Sequence, residues 1–322
     1  MRLFALHACK AELDILGVSW GRRISAMRIQ EAKARLLGNS FGWWLLGIRD
    51  KLTIVRTAWR SPESVGTVAN DQLAALLVVS LCRSGHVFVD VGAHIGSITA
   101  GARRNSRPSK IVAVEAIPER AASLRRRFPD VEVAQCAVGE SDGSEVAFFV
   151  NAAQSGYSTL AREEGLREIK VALRTLDSVL GGHAVDVIKI DIEGGELGAL
   201  RGAVNVLSTH RPTVMFESAP GCGSRLGYST TDLWRFFEGL GYVVAAPNRL
   251  AHDGDDMSLE AFNDSHLYPR RTTNYFAVPR ERRDEMRERA RLVLGIRVPS
   301  GARSWVRDSA LAPASAFAPH DA

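Results

Sequence analysis

Cysteine is scarce in this chain of 322 residues: four, Cys9, Cys82, Cys136 and Cys222, lie far apart. With no C-x-x-C pair and no histidine cluster beside them, the spacing of a structural zinc site is absent, and no disulfide framework is expected. Cys82 and Cys136 adjoin apolar runs, where a buried thiol serves as a small hydrophobe. Long hydrophobic runs are missing too. No stretch of about 18 uncharged apolar residues offers a transmembrane helix. The first sixteen residues carry Lys10, Glu12 and Asp14 where a secretory signal needs an unbroken apolar core, so the expected location is cytoplasmic. Charge of one sign is also lacking, with 41 Lys and Arg against 36 Asp and Glu, a formal +5. That surplus is no nucleic-acid signature. What is present, 46% apolar and 24% charged residues, is ordinary globular composition. At roughly 100–200 residues per domain, the length suits one large α/β domain with extensions, or two small domains.

The basic surplus is local. Residues 1–60 hold 11 Lys and Arg, 4 Asp and Glu, and four of the six tryptophans (Trp20, Trp43, Trp44 and Trp59). Residues 42–59 (GWWLLGIRDKLTIVRTAW) mix tryptophans, aliphatics and basic groups. Two readings stand: a helical cap that buries its tryptophans on the rest of the protein, or a helix at a membrane interface in peripheral contact with lipid.

Three zones follow along the chain. Residues 1–66 read as helical segments broken by Gly38, Gly42 and Gly47, ending at Ser61-Pro62. Residues 67–279 alternate strand-like and helix-like runs. From 280 a charged helix leads into a tail rich in Ala, Ser and Pro, with the character of a poorly ordered terminus. In the middle zone, residues 86–90 (HVFVD), 111–115 (IVAVE), 131–136 (VEVAQC), 185–191 (VDVIKID) and 213–217 (TVMFE) are short apolar runs. Helix-length stretches such as 119–127 and 196–207 lie between them. That alternation predicts a mostly parallel sheet with helices on both faces. Residues 146–150 and 169–173 read as extra strands of an excursion, and 242–246 with 275–278 as a final antiparallel pair. Asp90, Glu115, Asp191 and Glu217 end four of the runs, so these acids would crowd the carboxyl edge of the sheet, where open α/β folds bind ligands.

Two constellations carry chemistry. The first is the turn Asp90-Val91-Gly92-Ala93-His94-Ile95-Gly96. Gly92 permits a tight turn, Gly96 a close helix–strand approach, and backbone N–H groups at such a helix start accept polar ligand groups. Glu115, nineteen residues beyond Gly96, suits ribose hydroxyls. The second glycine of the dinucleotide G-x-G-x-x-G is missing, its place taken by His94, so a nucleoside without a diphosphate fits better. The second is the segment 187–196 (VIKIDIEGGE). Alternation along an extended segment puts Lys189, Asp191 and Glu193 on one side, and Glu196 enters the next helix near its positive end. Buried charges are costly unless paired or used. Lys189 therefore either forms an ion pair or tunes carboxylates that take a proton, orient a hydroxyl or bind a metal. No second ligand set is evident, and no metal is expected.

Together these residues resemble the FkbM family of S-adenosylmethionine-dependent methyltransferases. The pieces run in order: D-V-G-A-x-x-G at 90–96, V-A-V-E-A-x-P at 112–118, A-V-G-E at 137–140, S-G-Y-S-T-L at 155–160, R-T-L-D at 174–177, K-I-D-I-E-G-x-E at 189–196, L-R-G-A at 200–203 and Arg211-Pro212. His94 stands where the family most often has Asn. The resemblance implies a class I methyltransferase, Rossmann-like, with a seven-stranded mostly parallel sheet whose last strand is antiparallel, here with an N-terminal helical extension. It implies S-adenosyl-L-methionine as cofactor, with Asp90, Gly92, Ala93, His94 and Gly96 at its methionine part. Glu115 would hold the ribose, Ala137 would lie near the adenine, and Asp191 would sit near the methyl group. The implied activity is O-methylation of a hydroxyl on a sugar, glycolipid or secondary metabolite, so the expected partner is a small-molecule or glycan acceptor and not nucleic acid. Asp191 or Glu193 would orient and deprotonate the acceptor, Lys189 would tune them, and His94 is a second candidate base.

Rival readings are an NAD-dependent oxidoreductase, a non-catalytic binding subunit on the same fold, and a nucleic-acid methyltransferase. The missing middle glycine counts against the first, the intact acids against the second, and the lack of an N/D-P-P-Y/F motif against the third. Trp234 and Phe237 read as core positions of an amphipathic helix. His252, Asp253, Asp255 and Asp256 read as a solvated acidic loop, and residues 280–291 as a salt-bridged helix face. The acceptor pocket is expected from residues 151–165, 220–229 and 247–274.

Overall fold

The computed structural model describes residues 37, 40–150, 158–160, 166–221 and 223–296. Expectations for Cys9, Trp20, Gly38, Cys222, the segments 151–157 and 161–165, and the C-terminal tail lie outside them. The apolar runs form strands at the expected places: β1 (Val87–Val91), β2 (Lys110–Val114) and β3 (Glu132–Ala134). The excursion follows as β4 (Ala137–Val138), β5 (Gly143–Val150), β6 (Ser158–Thr159) and β7 (Arg167–Arg174), and the chain then returns with β8 (Val187–Ile190), β9 (Thr213–Glu217), β10 (Tyr242–Ala245) and β11 (Asn274–Pro279). Seven strands make one sheet in the order β10-β11-β9-β8-β1-β2-β3, and β4-β7-β5-β6 make a second. β11 alone in the large sheet is antiparallel to its neighbours. The chain leaves β1 toward β3 on one side and returns from β8 on the other. The crevice at the carboxyl ends of β1 and β8 is therefore the switch point at which ligands bind in such sheets.

Ten α-helices are described: α1 (Ser40–Arg60), α2 (Val65–Leu81), α3 (Ser97–Asn105), α4 (Pro118–Arg127), α5 (Leu176–Leu180), α6 (Glu196–Arg201), α7 (Val204–Thr209), α8 (Thr230–Gly239), α9 (Leu259–Asp264) and α10 (Arg283–Leu294). Period-two alternation splits the sheet between two cores. Phe88, Ile111, Val187 and Met215 face Leu77 and Val78 of α2, Ala100 of α3 and Met286 of α10. Val89, Val112, Ile188 and Phe216 face Leu197 and Leu200 of α6, Leu207 of α7 and Phe237 of α8. Burying each such aliphatic or aromatic side chain contributes about 1.5–3 kcal/mol, so both helical layers are held by the strands themselves. Cys82 and Cys136 are buried free thiols, and burial raises the latter to about 11.

Several local expectations are corrected. Gly42 and Gly47 do not break the first helix, because α1 runs unbroken from Ser40 to Arg60. A mid-helix glycine costs only about 0.5–1 kcal/mol, and α1 packs on α2 and buries part of Leu46. The helix expected over 196–207 is broken at Gly202, where a Cβ would collide with the carbonyl oxygen of Gly139. Pro62–Leu81 is long and apolar enough to cross a membrane, yet Ala74, Leu77, Val78, Val79 and Leu81 of α2 are core residues. The acidic loop is not simply solvated. Asp253 pairs with Arg291 at 2.6 Å and Arg287 at 3.3 Å, and Asp256 with Arg283 at 2.6 Å, so it is the ion-pair partner of α10. A cleft of about 460 Å³ opens there, lined by Trp234, Tyr242, Asp253, Arg283 and Arg287 among others.

Candidate active site at the carboxyl edge

The turn after β1 is built from backbone constraints. Gly92 has φ +74, and a Cβ there would collide with the backbone oxygen of Asp191. The N–H groups of Gly92 and Ala93 both donate to Val114 O, at 2.9 and 3.1 Å. Gly96 caps α3 at φ +76, and a Cβ on it would lie 2.6 Å from the Phe128 ring. His94 between them takes φ +52, a region that non-glycine residues enter at a cost.

Asp90 and Lys189 sit opposite one another in register on β1 and β8, both buried. Oδ2 of Asp90 accepts from Thr99 N at 3.0 Å and Thr99 Oγ1 at 2.6 Å, and Oδ1 lies 3.2 Å from Lys189 Nζ. Nζ also donates to the carbonyls of Val91 at 3.1 Å and Gly92 at 2.8 Å. Burial alone would lower the Lys189 ammonium, but the charges of Asp90 and Asp191 outweigh it and hold its pKa above the ordinary value. Asp90, expected at the cofactor, is instead enclosed beneath the turn, and Lys189, read as an ion-pair partner or a tuner of carboxylates, pairs with Asp90 and lies 3.8 Å from Asp191. They are positioning residues.

Glu115 is also buried. Its Oε2 accepts from His94 N at 2.9 Å and its Oε1 from Ile117 N at 2.8 Å. Burial raises its pKa, against the countering charge of Arg120 and these backbone bonds. Glu115, Gly92, His94 and Ala137 line one pocket with Arg120, Cys136, Val138, Phe148, Asp191 and Glu193. Arg120 on α4 escaped sequence reading, because nothing in the run PERAASLRRR sets it apart from its neighbouring arginines. The pocket shares no residue with the larger cleft at β10.

Past β8 the backbone departs from the extended segment expected there. The strand ends at Ile190, Glu193 turns through φ +56 and Gly194 through φ +101. The turn, not strand alternation, brings Glu193 back toward Asp191. Glu196 accepts from the N–H groups of Ile192 at 3.1 Å and Gly194 at 3.2 Å, and from the Tyr228 hydroxyl at 2.9 Å. It pins the turn from beneath. Glu217 at the end of β9, noted in the sequence only as a strand-end acid, completes the group: carboxylate oxygens of Asp191, Glu193 and Glu217 all lie within 4.8 Å of one another. Burial, then the Asp191 and Glu196 charges, push Glu193 up to about 8. Burial and the charges of Asp191 and Glu193 push Glu217 well above its ordinary value. Asp191 is the more open member, its side chain 42% exposed and 3.8 Å from Lys189 Nζ. Burial beside like charge thus favours the protonated forms of Glu193 and Glu217.

The residues present fit an S-adenosylmethionine-like group: a glycine turn with no room for a Cβ, a buried carboxylate at a ribose position, apolar walls at Cys136, Val138 and Phe148, and carboxylates suited to a cation. Sheet order and glycine turn together define a class I methyltransferase fold. Residues 90–244, just under half of the chain, match the methyltransferase FkbM domain family. No curated protein matches the sequence. Among solved structures, the chain is similar to an FkbM methyltransferase from Methylobacillus flagellatus KT, at 20% identity and TM-score 0.38 over 61% of this chain and 43% of that one. It thus spans less than half of that protein. It is also similar to a precorrin-6y C5,15-methyltransferase from Geobacter metallireducens GS-15, at 15% identity and TM-score 0.33 over 53% and 71%. A third likeness is to a TehB-like SAM-dependent methyltransferase from Corynebacterium glutamicum, at 11% identity and TM-score 0.34 over 64% and 85%. The family match and the sheet order carry the assignment.

Proposed function

We propose that this protein is an S-adenosylmethionine-dependent O-methyltransferase acting on a hydroxyl of a sugar, glycolipid or secondary metabolite. The observation that carries the reading is the convergence of Asp191, Glu193 and Glu217 beside the glycine turn, in the pocket that Glu115 also lines. Gly92, Ala93 and His94 would hold the methionine part of the cofactor, Glu115 its ribose and Ala137 its adenine. When bound, the cofactor supplies an electrophilic methyl group. The protein's own tasks are then alignment, which supplies up to about 7–11 kcal/mol of a barrier, and removal of the acceptor's proton, typically worth ~10²–10⁴-fold.

Asp191 is the group assigned to take that proton. Glu193, pushed up to about 8 by burial and the Asp191 and Glu196 charges, retains its proton near neutrality and serves as a hydrogen-bond donor that orients the acceptor oxygen, beside Glu217, which burial and the same acidic neighbourhood also raise. Asp191 is half-exposed toward the pocket and has the Lys189 ammonium behind it. The test is transfer of labelled methyl from S-adenosylmethionine to glycolipid and metabolite extracts, with thermal shift by S-adenosylhomocysteine measured alongside. Asp191→Asn is expected to abolish turnover and leave the thermal shift intact. Full turnover in that variant removes Asp191 from the role, and a shift by NAD but not by S-adenosylhomocysteine replaces the whole reading.

A further inference from the structure

We infer that α1 is an interfacial helix that seats the protein on an anionic lipid bilayer. Trp44, Leu52, Val55 and Trp59 of α1 are 59%, 61%, 65% and 86% exposed. At about 100° per residue these four fall within an arc of about 80°, with half-buried Ile48 inside it. Lys51 borders the arc on one side, Arg49 and Arg56 on the other. The opposite face carries Leu46 into the core and packs on α2. An apolar stripe opened by one tryptophan, closed by another and edged with basic groups is the surface of a helix lying in the headgroup region of a membrane.

Charge selects the occupant. α1 carries Arg49, Lys51, Arg56 and Arg60 against Asp50 alone. Residues 1–36 carry seven Lys and Arg against three acids, so as a cover for this stripe they would set like charge against like. A second copy would bring the same basic flanks to its partner. Anionic lipid complements both the stripe and its edges.

The placement also has a direction. The Tyr268 hydroxyl donates to Glu63 at 2.6 Å, and Thr67 Oγ1 donates to Arg270 O. These bonds tie the turn that follows α1, and the first turn of α2, to the loop before β11. Leu267 and Tyr268 in that loop are 66% and 69% exposed. The loop leads into Asn274, the register partner of Glu217. The docking face therefore continues to the carboxyl edge of the sheet, the edge that carries Asp191, Glu193 and Glu217.

The experiment is co-sedimentation of the full chain with vesicles of phosphatidylcholine alone and of equal parts phosphatidylcholine and phosphatidylglycerol. Binding to the mixed vesicles is expected, with little to phosphatidylcholine alone. Roughly tenfold weakening is expected in Val55→Ser/Trp59→Ser and in Lys51→Glu/Arg56→Glu. Circular dichroism and the thermal shift with S-adenosylhomocysteine should be unchanged in both variants. Because one variant alters the apolar stripe and the other its basic borders, a folding defect in one leaves the other to decide. Absent binding to mixed vesicles, equal binding by both vesicle types, or undiminished binding by the folded variants would overturn the inference. So would a dimer in sedimentation velocity that Val55→Ser/Trp59→Ser dissolves, which would assign the stripe to a second copy. None of these outcomes bears on methyl transfer.

Discussion

Lys189 and Asp90 meet across the switch point of the sheet, cation on β8 and carboxylate on β1, 3.2 Å apart and both enclosed. Through Nζ the pair also reaches the carbonyls of Val91 and Gly92, and through Asp90 it reaches the first turn of α3. One ion pair thus sets the shape of the glycine turn.

Removing one partner of a buried pair leaves the other charge enclosed and uncompensated, which costs about 3–5 kcal/mol. Lys189→Met is expected to lose stability on that scale in urea denaturation. The double variant Lys189→Met/Asp90→Asn should recover a substantial part, because the stranded charge is gone. A double variant as unstable as the single one would place the cost in packing instead.

Gly92 cannot accept a side chain. Its φ of +74 already disfavours one, and the added Cβ would meet the Asp191 backbone oxygen. Gly92→Ala must therefore shift the β1 turn away from β8, at a cost of about 1–3 kcal/mol for a residue held in that region. Loss of the S-adenosylhomocysteine thermal shift is expected, together with a lower melting temperature. A normal ligand shift in this variant would show that the turn does not line the cofactor.

The carboxylate cluster sets a pH dependence whose sign follows from linkage. Glu193 titrates near 4.5 when free and at about 8 in the folded protein, so between those values the folded state binds more protons than the unfolded one. Stability then falls as pH rises through the window and levels off above it. Glu217, also raised, acts in the same direction, whereas Glu281, held down to about 2 by Arg211, acts only at lower pH. Scanning fluorimetry should show the melting temperature declining from pH 5 toward pH 8, and Glu193→Gln should flatten that decline. A slope unchanged by the substitution would mean the cluster releases its protons elsewhere.

Much of the fold is legible in the chain because strand period and turn chemistry are local. The runs ending in Asp90, Glu115 and Glu217 alternate apolar residues or pack them continuously, and each became a strand within a residue or two of its expected place. Gly92 and Gly96 marked the turn because a positive φ with no room for a Cβ admits only glycine. Glycine misled where its role depended on neighbours. Gly47 has nothing within 4 Å of its missing side chain and sits inside a helix, whereas Gly202 lies against Gly139 and ends one. Spacing alone does not separate the two.

Residue identity and spacing determined the sheet, its glycine turn and which acids stand at its carboxyl edge. Tertiary structure decided what each acid does. Asp90 and Asp191 are both strand-end aspartates, yet Asp90 is enclosed by Thr99 and Lys189 while Asp191 opens to the pocket. Glu217 joined the site only when β9 came to lie beside β8. Burial and the charges of neighbours distant in sequence govern whether a carboxylate holds a turn, keeps a proton or takes one. Those quantities exist only once the strands are side by side.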